Sequence, residues 1–334
     1  MSEVTLFLDL EGTELTVEER QLLKNPLIGG VILFGRNTLD AQQVARLVMD
    51  IRQVSPEIII SLDQEGGRVQ RLKDGVTRLP AVKALASKYE HDPEQGLSAA
   101  KKMGYLMAAE LRALGIDLSF APVLDIDYGR NSVIGDRAFA CHFEAVSALS
   151  HAYIKGMRDA GMVATGKHFP GHGWANADTH LHDAIDDRTF EEIWTTDLVP
   201  FRDAVENGVE AMMFAHVVYP QCDPSPAGFS RFWIDEVLRK QIGFSGVVFS
   251  DDLSMKAAQS AGSYASRAEQ AIASGCQALL CCNERRGTLD ILAYLEAENL
   301  KPLKQLESLR GRAATVESLQ LESARSLANE MLDV

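Results

Sequence analysis

Eight short apolar runs punctuate the chain: Val4–Leu10, Gly30–Phe34, Ile58–Leu62, Ile116–Val123, Met162–Thr165, Ala211–Val218, Gly246–Phe249 and Ala278–Cys282. Seven are near-continuous rather than alternating, the pattern of strands buried on both faces of a parallel sheet. Ile116–Phe120 alternates, but Ala121–Leu124 continues apolar. Helical patterns lie between the runs. Thr16-Val17-Glu18-Glu19 reads as a capping box that opens a helix through Leu23. Ala41–Ile51 has apolar residues at helical spacing, and Leu97–Leu114 is long, Ala-rich and closed by Gly115. Glu144–Arg158, Phe190–Val205, Phe232–Ile242, Tyr264–Ala273 and Leu289–Leu295 follow, and Glu317–Leu332 reads as a terminal amphipathic helix. Strands that alternate with helices eight times predict an α/β protein, a (β/α)8 TIM barrel. A doubly wound open sheet is the alternative, but no GxGxxG follows the first strand. No repeat, low-complexity tract or linker marks a second domain. The expectation is one barrel over residues 1–334 with a helical extension from about 300 onward.

Composition narrows the partners. The 334 residues are 46% hydrophobic and 24% charged, with a formal net charge of −14. An acidic surface repels phosphate backbones and anionic lipid, so neither nucleic acid nor a membrane is an expected partner. No apolar run reaches the length of a membrane span, and MSEVTLFLDLEG has no basic region before its strand pattern. Cys141, Cys222, Cys276, Cys281 and Cys282 form no CxxC pair and no framework. Reduced thiols in a cytoplasmic, monomeric protein are the expectation.

In a barrel of this kind the chemistry sits at the C-terminal ends of the strands. Nearly every run here ends in polar or charged residues: Asp9 and Glu11, Arg36 and Asn37, Asp63 to Arg71, Asp125 and Asp127 with Arg130 and Arg137 beyond, Lys167-His168, His216, Ser250-Asp251-Asp252, and Asn283. That repetition favours an enzyme over a passive barrel. The densest stretch is Lys167–His182, KHFPGHGWANADTHLH, which holds four of the eight histidines. Its glycines and Pro170 break any helix, so the whole stretch is expected to be a loop after a strand that ends at Thr165. A carboxylate at the mouth of a rigid strand suits a nucleophile, because it must meet the reacting carbon at fixed distance and angle; Asp251 is placed so. Asp252 beside it reads equally well as a helix cap. Asp178-Thr179-His180 offers an aspartate that fixes the tautomer of a histidine and raises its basicity, an acid/base pair without a GxSxG serine.

Three stretches, Lys167-His168-Phe169-Pro170-Gly171-His172-Gly173, Asp178-Thr179-His180 and Ser250-Asp251-Asp252-Leu253-Ser254-Met255, together with Asp63-Gln64-Glu65-Gly66-Gly67-Arg68-Val69-Gln70-Arg71, resemble the signatures of glycoside hydrolase family 3. The likeness is nearest to its single-domain β-N-acetylglucosaminidases of bacterial cell-wall recycling. It runs from the first strand to about the last barrel helix. The resemblance implies Asp251 as nucleophile and His180, paired with Asp178, as general acid/base. It implies Asp63, Arg71, Arg137, Lys167 and His168 as the grip on a terminal N-acetylglucosamine of muropeptides. It implies no cofactor and no metal. Two other readings stay open. One is a metal-dependent hydrolase that uses His168, His172, His180 and His182 with Asp251; the other is a sugar-binding barrel without catalysis.

Overall fold

A computed structural model describes residues 3–130, 132–175 and 184–332. Eight parallel strands wind in chain order: β1 Glu3–Asp9, β2 Ile28–Leu33, β3 Ile59–Leu62, β4 Leu118–Ser119, β5 Thr165–Phe169, β6 Ala211–Phe214, β7 Val247–Asp252 and β8 Ala278–Cys281. Their lateral order is β4-β3-β2-β1-β8-β7-β6-β5. The seam between β4 and β5 is closed by parallel bridges, Leu118 to Val163 and Val123 to Lys167. Leu124 N–H also donates to the Lys167 carbonyl at 2.6 Å. The result is the (β/α)8 barrel that the periodicity predicts.

The interior is filled rather than hollow. Phe7, Phe120 and Phe249 meet edge-to-face, with centroids 5.1 to 6.4 Å apart. Around them lie Ile32, Ile59, Met213 and Leu280, one contribution from each of several strands. The larger core lies between the strands and the helices outside them. The helix at Val17–Leu22 opens on the expected capping box: the Thr16 hydroxyl accepts from Glu19 N–H, and the Glu19 carboxylate accepts from Thr16 N–H. Helices Ala41–Val54, Pro93–Ala113, Phe143–Asp159 and Arg285–Ala297 begin earlier or run longer than the apolar spacing alone indicates. After β8, Lys301–Pro302 pairs beside the start of β1, and the helix Ser318–Leu332 lies against Pro93–Ala113 through an Arg325–Glu110 ion pair at 2.8 Å. Among the described residues no helix is long and apolar enough to cross a membrane.

Three expectations need correction. Lys167 and His168 are not loop: β5 runs through both to Phe169, and the strand begins at Thr165 where it was expected to end. A strand can carry these polar residues inward because each finds a buried carboxylate. Phe190–Val205 is two helices, Phe190–Thr195 and Leu198–Glu206. The chain breaks at Thr196-Asp197 because the Asp197 carboxylate turns inward to the Arg188 guanidinium at 2.6 Å. Ala211–Val218 is likewise interrupted, between Phe214 and Val217, where His216 leaves the strand.

Candidate active site

A cavity of about 260 Å³ opens at the C-terminal mouth of the barrel. Six of the residues singled out from the sequence line it together: Asp63, Arg71, Arg137, Lys167, His168 and Asp251. Asp178 and His180 lie outside the described residues, as does His182.

The deepest feature is Lys167, 2% exposed, held by β5 with its ammonium between two carboxylates. Its Nζ lies 2.9 Å from Asp63 Oδ1 and 2.6 Å from Glu65 Oε1. Asp63, just past β3, also accepts from Arg71 Nη2 at 3.0 Å. Glu65 takes a two-pronged contact from Arg137, Nε to Oε2 at 2.7 Å and Nη2 to Oε1 at 2.9 Å. Burial opposes ionisation of Asp63, yet Lys167 and Arg71 hold its carboxyl well below the usual carboxylate range. Burial likewise opposes a charged Glu65, and Lys167 and Arg137 hold it down. In return, burial pulls Lys167 toward neutrality while Asp63 and Glu65 push its pKa above the ordinary lysine value. A buried ion is tolerated only when paired.

His168 is oriented from beneath. Its Nδ1 lies 2.7 Å from Asp125 Oδ2, and Asp125 Oδ1 accepts from His172 N–H at 2.7 Å. Because a carboxylate only accepts, Nδ1 carries the proton, and Nε2 is left to accept from Arg137 Nη2 at 3.5 Å. Asp125 itself is fully buried; burial works against its charge, and His168 keeps its carboxyl below the usual range. His172 also lines the cavity, its ring centroid 5.9 Å from that of His168, and burial followed by His168 lowers its pKa. The sequence reading places Glu65 and Asp125 at the rim but gives them no part. Their part is to hold Lys167, Arg137 and His168, and only distance reveals it.

Asp251 is different in kind. Among the described residues it forms no ion pair, and its Oδ1 accepts only from the N–H of Asp252, at 2.8 Å. One carboxylate oxygen is aimed by backbone, and no cation of the described residues competes for the other. Asp251 lines the same cavity as Asp63 and the basic groups. Phe34, with Arg36 and Arg71 over its ring at 5.0 and 5.5 Å, forms part of the wall.

The residues on either side of the Asp178–His180 stretch are firmly seated. The Trp174 ring lies beneath the guanidinium groups of Arg130 and Arg188, at 4.1 and 4.5 Å, and its Nε1 donates to Asp187 at 3.3 Å. Arg188 pairs with Asp186 at 2.6 Å and Asp197 at 2.6 Å. Tyr128 donates its hydroxyl hydrogen to Asp197 at 2.9 Å. Among the described residues no group of three or more His, Cys, Asp or Glu is arranged to hold a metal ion.

The sequence matches the model of the glycosyl hydrolase family 3 N-terminal domain over residues 6–316. It is 49% identical over 308 residues to a β-hexosaminidase of Pseudomonas aeruginosa, covering 92% of this chain and 91% of that one. It is 51% identical over 306 residues to a β-hexosaminidase of Tolumonas auensis, covering 91% and 89%. The fold superposes on NagZ from Neisseria gonorrhoeae, solved in complex with N-trifluoroacetyl-D-glucosamine, with a TM-score of 0.90, 38% identity, and coverage of 99% and 98%.

Proposed function

The chain belongs to glycosyl hydrolase family 3 and is a β-N-acetylhexosaminidase, and from that premise we propose that it removes single terminal β-linked N-acetylglucosamine residues with retention of configuration. The natural substrates in this reading are peptidoglycan fragments, N-acetylglucosaminyl-1,6-anhydro-N-acetylmuramyl peptides, met in the cytoplasm by a monomeric enzyme.

The observation that carries the proposal is the unequal treatment of carboxylates in one cavity. Asp63 and Glu65 are each neutralised by cations, whereas Asp251 is aimed by a backbone N–H and, among the described residues, has no cation beside it. Asp63, Arg71, Arg137, Lys167 and His168 bind the hydroxyls of the terminal sugar, since they offer both acceptors and donors in fixed positions. Their mutual pairing fills that part of the cavity with charge and suits it to one terminal sugar, and the action is exo. Asp251 then attacks the anomeric carbon, and the bond to the leaving oxygen breaks as His180, oriented by Asp178, gives that oxygen a proton. Water loses a proton to the now neutral His180 and displaces Asp251, so two inversions give retention.

The test is a comparison of aryl β-N-acetylglucosaminide with the matching aryl β-glucoside. The proposal expects kcat/KM to favour the N-acetyl substrate strongly. Faster cleavage of the glucoside would overturn the substrate assignment.

A further inference from the structure

Asp252 has an unusual number of commitments for a residue that only follows the reactive one. Its N–H donates to Asp251 Oδ1 at 2.8 Å. Its carboxylate Oδ1 accepts from Ser254 N–H at 2.9 Å and from Cys282 N–H, just past the end of β8, at 3.1 Å. Its carbonyl lies 3.1 Å from Nε2 of His216, which stands just past the end of β6. Asp252, the residue whose N–H aims Asp251, is thus tied to both neighbouring strands, through its carboxylate on the β8 side and its carbonyl on the β6 side.

His216 has no other evident task. It is 4% exposed, and its ring is stacked on Phe229, 25° from parallel with centroids 5.5 Å apart. A carbonyl only accepts, so Nε2 carries the proton. Nδ1 is buried with no hydrogen-bond partner among the described residues. Leaving a buried ring nitrogen unpartnered costs free energy, so the ring is retained at that cost for what Nε2 does. Burial also keeps the ring neutral, against the pull of the Asp251 carboxylate.

We propose that His216 is a positioning residue for Asp251, acting through the carbonyl of Asp252, with the Asp252 carboxylate as the matching tether on the β8 side. The inference rests on Asp251 being the nucleophile. A carboxylate that swings by about 1 Å can lose on the order of 100-fold in rate without losing affinity for the sugar.

The experiment compares His216→Phe, which keeps the stack on Phe229 but has no donor, with His216→Gln, whose amide restores one. Both are measured on aryl N-acetylglucosaminides with good and poor leaving groups, beside the wild type and Asp251→Ala. His216→Phe should lower kcat about 10- to 100-fold with KM changed less than about threefold. The loss should be equal for good and poor leaving groups, because aim and not proton transfer has been damaged. His216→Gln should recover most of the rate. If His216→Phe does not fold, His216→Asn, whose shorter amide stops short of the carbonyl, carries the same expectation. Wild-type kcat in the donor-less variant, or equal loss in it and in His216→Gln with KM rising in parallel, would overturn the positioning role of His216 alone. Full activity in Asp251→Ala would overturn the assignment of the nucleophile, and the positioning role of His216 with it.

Discussion

Carboxylates in this barrel titrate in opposite senses, and the difference can be measured. Asp63, Glu65 and Asp125 have cationic or imidazole partners and carboxyl pKa values below the usual range. Their contribution to stability is present above the unfolded carboxyl value, about 4, and is lost as pH falls through the folded values. Asp252 runs the other way. Burial pushes its carboxyl up to about 6, against the N–H groups of Ser254 and Cys282. The native state therefore holds a proton that the unfolded chain has released, so this group's contribution to stability declines as pH rises from about 4 to about 6 and stays low above that. Asp252→Asn keeps an oxygen to accept those N–H groups and removes the charge. Its melting temperature relative to wild type should therefore be higher at pH 7.5 than at pH 5, and thermal melts at the two values check it. An equal difference at both would mean that Asp252 is not ionising against a burial penalty. At this scale the sequence was informative about chemistry and silent about support. Asp63, Arg71, Arg137, Lys167, His168 and Asp251 stand out because polar groups at strand ends are conspicuous in an apolar pattern. Glu65, Asp125 and His216 act through distances to residues between 36 and 102 positions away, and no local pattern encodes those.

Among the elements, the strands were legible because each is apolar on both faces, and their sequence spacing places the rim. What misled was charge. A lysine and a histidine after Thr165 read as the start of a loop, whereas β5 carries them inward to Glu65 and Asp125. The helices behind β4 and β5 hold this geometry by unusually close approach. Helices Pro93–Ala113 and Phe143–Asp159 cross at Gly156, where a Cβ atom would stand 2.0 Å from the Lys101 carbonyl oxygen. That oxygen is backbone and cannot rotate away, so Gly156→Ala forces the helices apart. The expected result is a loss of about 1–3 kcal/mol of stability, read by thermal or denaturant melts. Because the change lies on the outer layer, KM for the aryl substrate should stay near the wild-type value. An unchanged midpoint would contradict the tight crossing.

For the molecule as a whole, the barrel brings to one mouth groups from β3, β4, β5 and β7 that are far apart in sequence. The same cavity holds two kinds of carboxylate: Asp63 and Glu65 in ion pairs, and Asp251, which has none among the described residues. The barrel was predictable from eightfold alternation alone, and the family from four motifs. The joining of Asp63, Glu65, Arg137 and Lys167 into a single ion cluster was not, because it depends on closure of the β4–β5 seam. The central claim is that Asp251 becomes covalently bonded to the sugar. The direct measurement is peptide mass spectrometry after reaction with a 5-fluoro N-acetylglucosaminyl substrate, which slows release of the intermediate more than its formation. The account predicts one added fluorosugar on the peptide that contains Asp251, absent from Asp251→Ala. A sugar on Asp252 instead, or an inverted product seen by NMR with no labelled peptide, would contradict it.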